Sequence, residues 1–329
     1  MTSRLPTVSV VITAFNHERY IGDALRSVLA QTYGDYEIVV VDDGSTDATA
    51  ERVEAFGPAV RLLRQTNQGV AGSRNTGIFH ARGRLLAFLD GDDLWEPDKL
   101  ARQVAATEQH RRSGLIAVGG RELGNPAGLT NTLFAPPLEA LLSGKESLTI
   151  RCHEMFLRQN LICTTSQVMI PRDVLHEVGL SDTAFRVSSD WDLYIRIASR
   201  YDVTFVSARL AVWRYLESSA SGPLIVRQLR WAEDDVAILK KHLLSGPAEH
   251  RPLIRSLIRT RILETANTAY YFGKGNARSV ARRHLLRLLR SNPTSAGMIF
   301  FFLVGLHSPA LATRSVGRLL RRAFGVPIA

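Results

Sequence analysis

Between residues 8 and 118 the chain alternates short apolar runs with stretches of helical periodicity, and several of the apolar runs end in a polar or acidic cluster. Residues 8–13 form a largely β-branched run, as expected of a strand buried on both faces. Residues 18–30 place Ile21, Ala24, Leu25, Val28 and Leu29 on one helical stripe. Residues 37–41 predict a second strand, and Asp47 suits the cap of a helix reaching residue 56. Residues 60–63 predict a third strand, 69–81 a helix stopped by Gly83, and 85–89 a fourth strand. Pro97 fits the first turn of a helix running toward His110, and 115–118 predict a fifth strand. This β-α-β-α order implies an α/β protein with a mostly parallel sheet and helices on both faces. In such sheets ligands bind beyond the carboxyl ends of the strands, so the chemistry is expected after residues 13, 41 and 89.

The pattern weakens beyond residue 120. Residues 160–170 read as a strand, 189–200 as a helix, 203–206 as a strand, and the chain from about residue 227 as helical. With 329 residues there is room for one large domain and an appendage, or for two domains. The boundaries expected are a catalytic region at 1–225, divided into 1–120 and 121–225, and a helical basic region at 226–329. At 45% hydrophobic and 22% charged residues, the composition excludes global disorder and collagen-like repeats. The only two cysteines, Cys152 and Cys163, form no CxxC pair, which argues against a cysteine-based zinc site. The start of the chain shows no secretory pattern, so a cytoplasmic, reducing compartment is expected.

Charge is unevenly placed. The net charge is +10, the last acidic residue is Glu264, and ten basic residues follow it, which leaves 31 basic against 31 acidic residues in 1–264. A neutral body argues against nucleic acid as a partner. The arginines within 278–322 are interleaved with apolar residues at helical spacing, so peripheral contact with an anionic membrane is expected there. Residues 295–312 carry no formal charge but contain His307 and Pro309. At 18 residues that run is at the lower limit for a span, and it reads as re-entrant, interfacial or helix-packing rather than as a full span.

Three strand-end clusters carry the chemistry. Thr13-Ala14-Phe15-Asn16 lacks the glycines of a dinucleotide-binding turn, and no Walker A sequence occurs. Asp42 and Asp43 can accept hydrogen bonds from a base or ribose. Asp90-Gly91-Asp92-Asp93 crowds three carboxylates into four residues, which repel one another unless a cation neutralises them. Hard oxygen ligands suit Mg²⁺ or Mn²⁺, usually shared with substrate phosphates. Plainer readings compete with these. Residues 42–47 are compatible with a turn and a helix cap, Asp190 and Asp192 with dipole-favoured charges at a helix start, and Arg74 with an ordinary surface charge. His153-Glu154 lacks the second histidine of a zinc-protease helix. Trp191, Trp213 and Tyr215 fit core positions.

Taken in order, these segments resemble family 2 glycosyltransferases of the GT-A fold. The similarity runs through Val8-Ser-Val-Val-Ile-Thr-Ala-Phe-Asn16, Ser27-Val-Leu-Ala-Gln31, residues 37–46, 67–77 and 87–95, and Ser189-Asp-Trp-Asp-Leu-Tyr-Ile-Arg196 within 160–219. It covers about residues 7–220 and not the remainder. The resemblance implies a nucleotide-sugar donor, a glycan or lipid-linked acceptor, and direct attack with inversion at the anomeric carbon. It implies that Thr13, Ala14, Phe15 and Asn16 line the nucleotide, that Asp43 holds the base edge with help from Asp42, and that Arg74 approaches the donor. Asp90, Gly91 and Asp92 would form the DxD motif, with Asp90 toward ribose and diphosphate and Asp92 on the metal. Asp93 would be a further ligand or a structural neighbour. Asp190 would be the general base, with Asp192 close behind. Many relatives carry Glu where this chain has Ser189, which bears on acceptor geometry. Two other classes remain open: a sugar nucleotidyltransferase, which needs a glycine-rich loop after the first strand, and an inactive nucleotide-sugar-binding protein, which needs no base.

Overall fold

A computed structural model describes residues 5–124, 134–216 and 224–272, together with the single positions 283 and 286. In chain order the elements are β1 (Val8–Ala14), α1 (Ile21–Leu29), β2 (Tyr36–Asp42), α2 (Thr49–Glu54), β3 (Arg61–Arg64), α3 (Gly69–His80), β4 (Leu85–Asp90), β5 (Leu94–Trp95), α4 (Lys99–Gln109) and β6 (Ser113–Leu123). There follow α5 (Pro136–Leu142), β7 (Ser147–Ile150), α6 (His153–Arg158), β8 (Val168–Pro171), α7 (Arg172–Val178), α8 (Ser189–Ala198), β9 (Asp202–Arg214), α9 (Leu224–Ser245) and α10 (Arg251–Phe272). The chain divides into two compact units at Leu216 and Glu217.

In the first unit all described strands join one sheet in the order β3-β2-β1-β4-β8-β6-β9-β5, with β7 pairing β9. The half built from β3, β2, β1 and β4 is parallel, as the alternation predicts. The other half is mixed: β8 runs antiparallel to β4 and β6, whereas β9 is parallel to β6 and antiparallel to β5 and β7. The sheet as a whole is therefore mixed rather than mostly parallel. The reason is local, since antiparallel neighbours need no crossover helix and the 120–170 region offers only short helices.

β1 is buried throughout. Val8, Val10 and Ile12 belong to a core with Ile21, Leu25 and Val28 of α1 and with Leu100 and Val104 of α4. Val11 faces the opposite way, toward α3. A Cβ on Gly77 of α3 would lie 2.3 Å from Val11 Cγ1, so this helix approaches the sheet only because position 77 has no side chain. Gly83 does not end α3 as the sequence suggests; the helix stops at His80 and Ala81 is extended. A Cβ at Gly83 would lie 2.5 Å from the backbone nitrogen of Ser9, so this glycine serves a close chain crossing. Of the strand predicted at 160–170, only Val168–Pro171 forms, because Thr164 and Gln167 close a capping box around a 3-10 turn at Thr165–Gln167.

In the second unit α9 packs on α10, with Val236, Ile238, Leu239, Ile254 and Ile262 buried and Arg261 3.5 Å from Asp235. No helix among the described residues is long and apolar enough to cross a membrane. The basic segment 278–322 and the uncharged run 295–312 lie outside the described residues, apart from positions 283 and 286.

Candidate active site

Parallel register brings the three strand ends together, with Ala14 opposite Asp42 and Thr13 opposite Asp90. The loops beyond them are knitted to one another. Asn16, at φ 56°, accepts from the Thr46 amide at 2.8 Å, while its own amide donates to Ser45 Oγ at 2.9 Å. The His17 amide donates to Thr49 Oγ1, and Asp47 accepts from the amides of Glu18 and Thr49. Phe15 stands 44% exposed at the end of β1, an apolar ring open to solvent beside the carboxylates.

The structure separates the acidic residues by role. Asp43 is buried. One carboxylate oxygen accepts from Gln65 Nε2 at 2.7 Å and from the Gln68 amide at 2.9 Å, and the other accepts from the Gly69 amide at 2.8 Å. It thus pins the N-terminus of α3, where a negative charge is favoured. Asp42 is fully buried and accepts from the Ser45 amide, and its other oxygen is 3.5 Å from Arg64 Nε. Asp90 accepts from Thr13 Oγ1 at 3.2 Å, from Arg74 at 3.0 Å and from Thr165 Oγ1 at 3.2 Å. Burial would raise its carboxyl, but the Arg74 guanidinium and these hydrogen bonds bring it below the usual carboxylate range.

Asp92 keeps a partly open carboxylate 3.9 Å from His17 Nε2. Burial raises its carboxyl; His17 opposes that, and Asp90 adds to it. Gly91 lets this loop pass, since a Cβ there would lie 2.8 Å from His17 Nδ1 and 2.9 Å from the Thr13 carbonyl. Asp93, expected as a further metal ligand or a structural neighbour, is enclosed by protein donors. It is 1% exposed, and its oxygens accept from Ser166 Oγ at 2.5 Å, Thr164 Oγ1 at 3.1 Å and the Arg214 amide at 3.0 Å. Burial, with Asp92 and Asp90 close by, lifts its carboxyl well above the ordinary value.

The second half of the unit supplies Asp190 in the first turn of α8. It is half-buried and accepts from Asn160 Nδ2 at 3.3 Å. Burial raises its carboxyl, Arg74 and the Asn160 bond pull it back, and Asp90 pushes it up again. Asp192, two residues on, faces elsewhere: it is fully buried and 3.0 Å from Arg196 Nε, while the Arg196 guanidinium donates to the carbonyls of Val178, Gly179 and Leu180. Through Arg196 it ties α8 to the turn after α7. Trp191 is core, donating to the Phe156 carbonyl at 2.6 Å.

Arg74 joins the halves. It is buried, and its guanidinium donates to Asp90 and to Thr165 Oγ1 while acting electrostatically on both Asp90 and Asp190. The contributions of His17, Asn160, Thr165, Ser166, Tyr194 and Arg214 escaped the sequence reading. The hydroxyl run Thr164-Thr165-Ser166 inside an otherwise apolar segment was the available signal for two of them. Arg214 donates from Nε to the Asp92 carbonyl at 2.9 Å, bracing the acidic loop from β9. Both cysteines are free thiols, Cys152 buried and Cys163 exposed; burial pushes the Cys152 thiol up to about 12, so it is not an activated nucleophile. Among the described residues no three His, Cys, Asp or Glu side chains converge into a metal cage.

A parallel half-sheet with carboxylates at its carboxyl edge, continued by a mixed half that returns an aspartate to it, is the architecture of GT-A glycosyltransferases. S. aureus TarS 1–349 in complex with UDP-GlcNAc superposes with a TM-score of 0.66 over 89% of this chain and 83% of that one, at 19% identity. The mannosyltransferase PcManGT from Pyrobaculum calidifontis, in complex with GDP-Man and Mn²⁺, gives 0.52 over 95% and 89%, at 20% identity. Residues 9–179 match the model of glycosyl transferase family 2, and the chain belongs to that family. An uncharacterised glycosyltransferase of Rickettsia felis is 30% identical over 66% of this chain, which spans only 35% of that relative's length. The putative teichuronic acid biosynthesis glycosyltransferase TuaG of Bacillus subtilis is 30% identical over 67% of this chain and 84% of its own. WfgD of Escherichia coli, named UDP-Glc:alpha-D-GlcNAc-diphosphoundecaprenol beta-1,3-glucosyltransferase, is 36% identical over 39% and 51%.

Proposed function

We propose that this chain transfers a sugar, with inversion, from a nucleoside-diphosphate sugar, UDP-linked, to a hydroxyl of a glycan or lipid-linked acceptor. One observation carries the reading: Arg74 holds the strand-end carboxylate Asp90 while acting electrostatically on the carboxylate of Asp190 from the other half of the unit. Donor and acceptor groups thus meet at one place. The names of relatives support the substrate classes, since WfgD is named for a UDP-sugar and a diphosphate-linked lipid and TarS has been seen with UDP-GlcNAc.

The residues divide the work. Phe15 offers an apolar face to a base, and Asn16, Asp42 and Asp43 shape the loops around it. Asp90, kept ionised by Arg74, faces ribose and diphosphate. Asp190 takes the proton from the acceptor hydroxyl as that oxygen bonds to the anomeric carbon and the diphosphate leaves. A carboxyl raised by burial is a stronger base than an exposed one and suits that task. Asp92 fits a Mn²⁺ or Mg²⁺ ion of the kind held by one or two carboxylates together with diphosphate oxygens: it is partly open, and its charge is only loosely met at 3.9 Å. Such an ion supplies positive charge to the departing diphosphate. The basic segment 278–322 would hold the enzyme at an anionic membrane, close to a lipid-linked acceptor.

Substituting Asp190→Asn tests the reading. The rate of transfer should fall about 10²–10⁴-fold with donor affinity kept, the usual scale for a general base. Wild-type turnover in that variant would move the base elsewhere. Asp92→Asn should remove the response to Mn²⁺ in calorimetric UDP binding as well as in transfer; an undiminished response would place the ion on other ligands.

A further inference from the structure

Two polar atoms in the middle of the site have no partner among the described residues. Arg74 Nε and Tyr194 Oη are both buried, in residues 8% and 1% exposed, and neither makes a hydrogen bond to any described residue. Both residues line one cavity of about 10 Å³, together with Thr165, Ser181, Phe88, Ile170 and Leu193. A void of that size is about one water sphere, and orphaned buried polar groups are the usual partners of an ordered water. An N–H and a phenol left dry would each forfeit the hydrogen bonds they make to water in the unfolded chain. Burial and the charges of Asp190 and Asp90 hold the phenol protonated, so it has a hydrogen to give.

We propose that a single buried water bridges Arg74 Nε and Tyr194 Oη, and that Tyr194 is through it a positioning residue for Arg74. The water accepts from the guanidinium N–H and from the phenol. It returns a hydrogen to Thr165 Oγ1, whose own hydrogen goes to Asp90. The remaining Arg74 bonds all leave from one nitrogen, which donates to Asp90 and to Thr165. A guanidinium held at one nitrogen can pivot; a second tether at Nε fixes its plane, and with it the place of the charge between Asp90 and Asp190. Tyr194 lies one helical turn beyond Asp190 on α8, so the same helix that presents the base also locks the cation facing it.

The inference about the water is independent of the activity; the positioning role rests on the proposal that Asp190 is the base. A crystal structure of the full chain at about 1.5 Å should show one ordered water within about 3.2 Å of both atoms. An empty cavity, or a direct Arg74–Tyr194 contact, would overturn the bridge. Tyr194→Phe keeps the ring and removes only the hydroxyl. Measured as UDP release from a panel of UDP-hexoses and UDP-N-acetylhexosamines, kcat should fall about tenfold while KM for the donor stays within about twofold, as for an interaction felt mainly in the transition state. Unchanged kcat, or a matching rise in KM, would reduce Tyr194 to packing. Asp190→Asn, run alongside, separates the two ideas: if it turns over like wild type, the base assignment fails while the crystallographic water still stands or falls by itself.

Discussion

Asp43 accepts three hydrogen bonds from the segment that opens α3, so its position at a strand end conceals a second duty beside any contact with a nucleotide base. Asp43→Ala should therefore lower the stability of the protein without nucleotide, by about 1–3 kcal/mol for donors left unpaired. Denaturant unfolding without ligand measures this. A variant as stable as wild type but weak in UDP binding would return Asp43 to a purely ligand-facing role. The same geometry shows what single residues disclose in sequence and what they conceal. Clustered Asp90, Asp92 and Asp93 signal a charge problem, but one met by three different sets of partners: Arg74 for Asp90, a loosely placed His17 for Asp92, and hydroxyls with an amide for Asp93. Those partners come from positions 74, 17, 164–166 and 214, and no local spacing reveals them. Asp190 sits where burial raises its carboxyl, so the acid limb of the rate–pH profile should lie above the ordinary carboxylate range near pH 4. A base must be ionised to work, and a raised value delays ionisation to higher pH. A limb at or below the range of an exposed aspartate would speak against Asp190.

Apart from β5, the helices and strands of residues 8–110 were legible because each carries a period, and parallel strands buried on both faces read as continuous apolar runs. The segments β5, β7 and α5–α7 were not, being seven residues or fewer, too short for a period to show. At this scale α3 gives a sharp test. Gly77→Ala adds helix propensity of about 1 kcal/mol. It also drives a methyl to 2.3 Å from Val11 Cγ1 in a strand that cannot retreat, and overpacking of that kind costs about 1–3 kcal/mol. At so short a distance the clash wins, and the urea midpoint should fall; a midpoint at or above wild type would mean that α3 can slide on β1. Helix α4 carries a different signature. Lys99 is fully buried with its Nζ 3.7 Å over the Trp95 ring, bonded to Gln103, and burial holds it well below the usual lysine range. The unfolded chain then binds a proton that the folded chain gives up. Stability should rise with pH from that lowered value toward about 10.4, where the unfolded lysine also loses its proton. Between pH 7 and 9.5 wild type should gain stability in urea titrations and Lys99→Met should gain less. Equal gains would assign the proton to another group.

Across the whole molecule, charge and fold part company. The unit ending at Leu216 contains every described strand and the candidate site, whereas the ten basic residues that make the net charge all lie beyond Phe272. An extension with basic but no acidic residues would serve the proposed transfer to a lipid-linked acceptor by meeting anionic headgroups. Arg282, Arg283, Arg287 and Arg290 alternate with Leu285, Leu286, Leu288 and Leu289, and Arg318, Arg321 and Arg322 flank Leu319 and Leu320. If it is helical, a segment of this pattern would lie in the headgroup region with its arginines among phosphates. Each basic residue near an anionic surface contributes about 1 kcal/mol, so seven of them suffice to hold a protein there at low salt. A chain ending at Phe272 keeps α10 whole and removes all ten charges. In flotation with phosphatidylglycerol-rich vesicles the full chain should rise with the lipid, and the shortened one should stay below. Binding of the full chain should weaken as salt shortens the reach of the charges, and neutral phosphatidylcholine vesicles should capture less of it. If the full chain fails to float at low salt, or the shortened chain floats equally well, the basic extension has no membrane role.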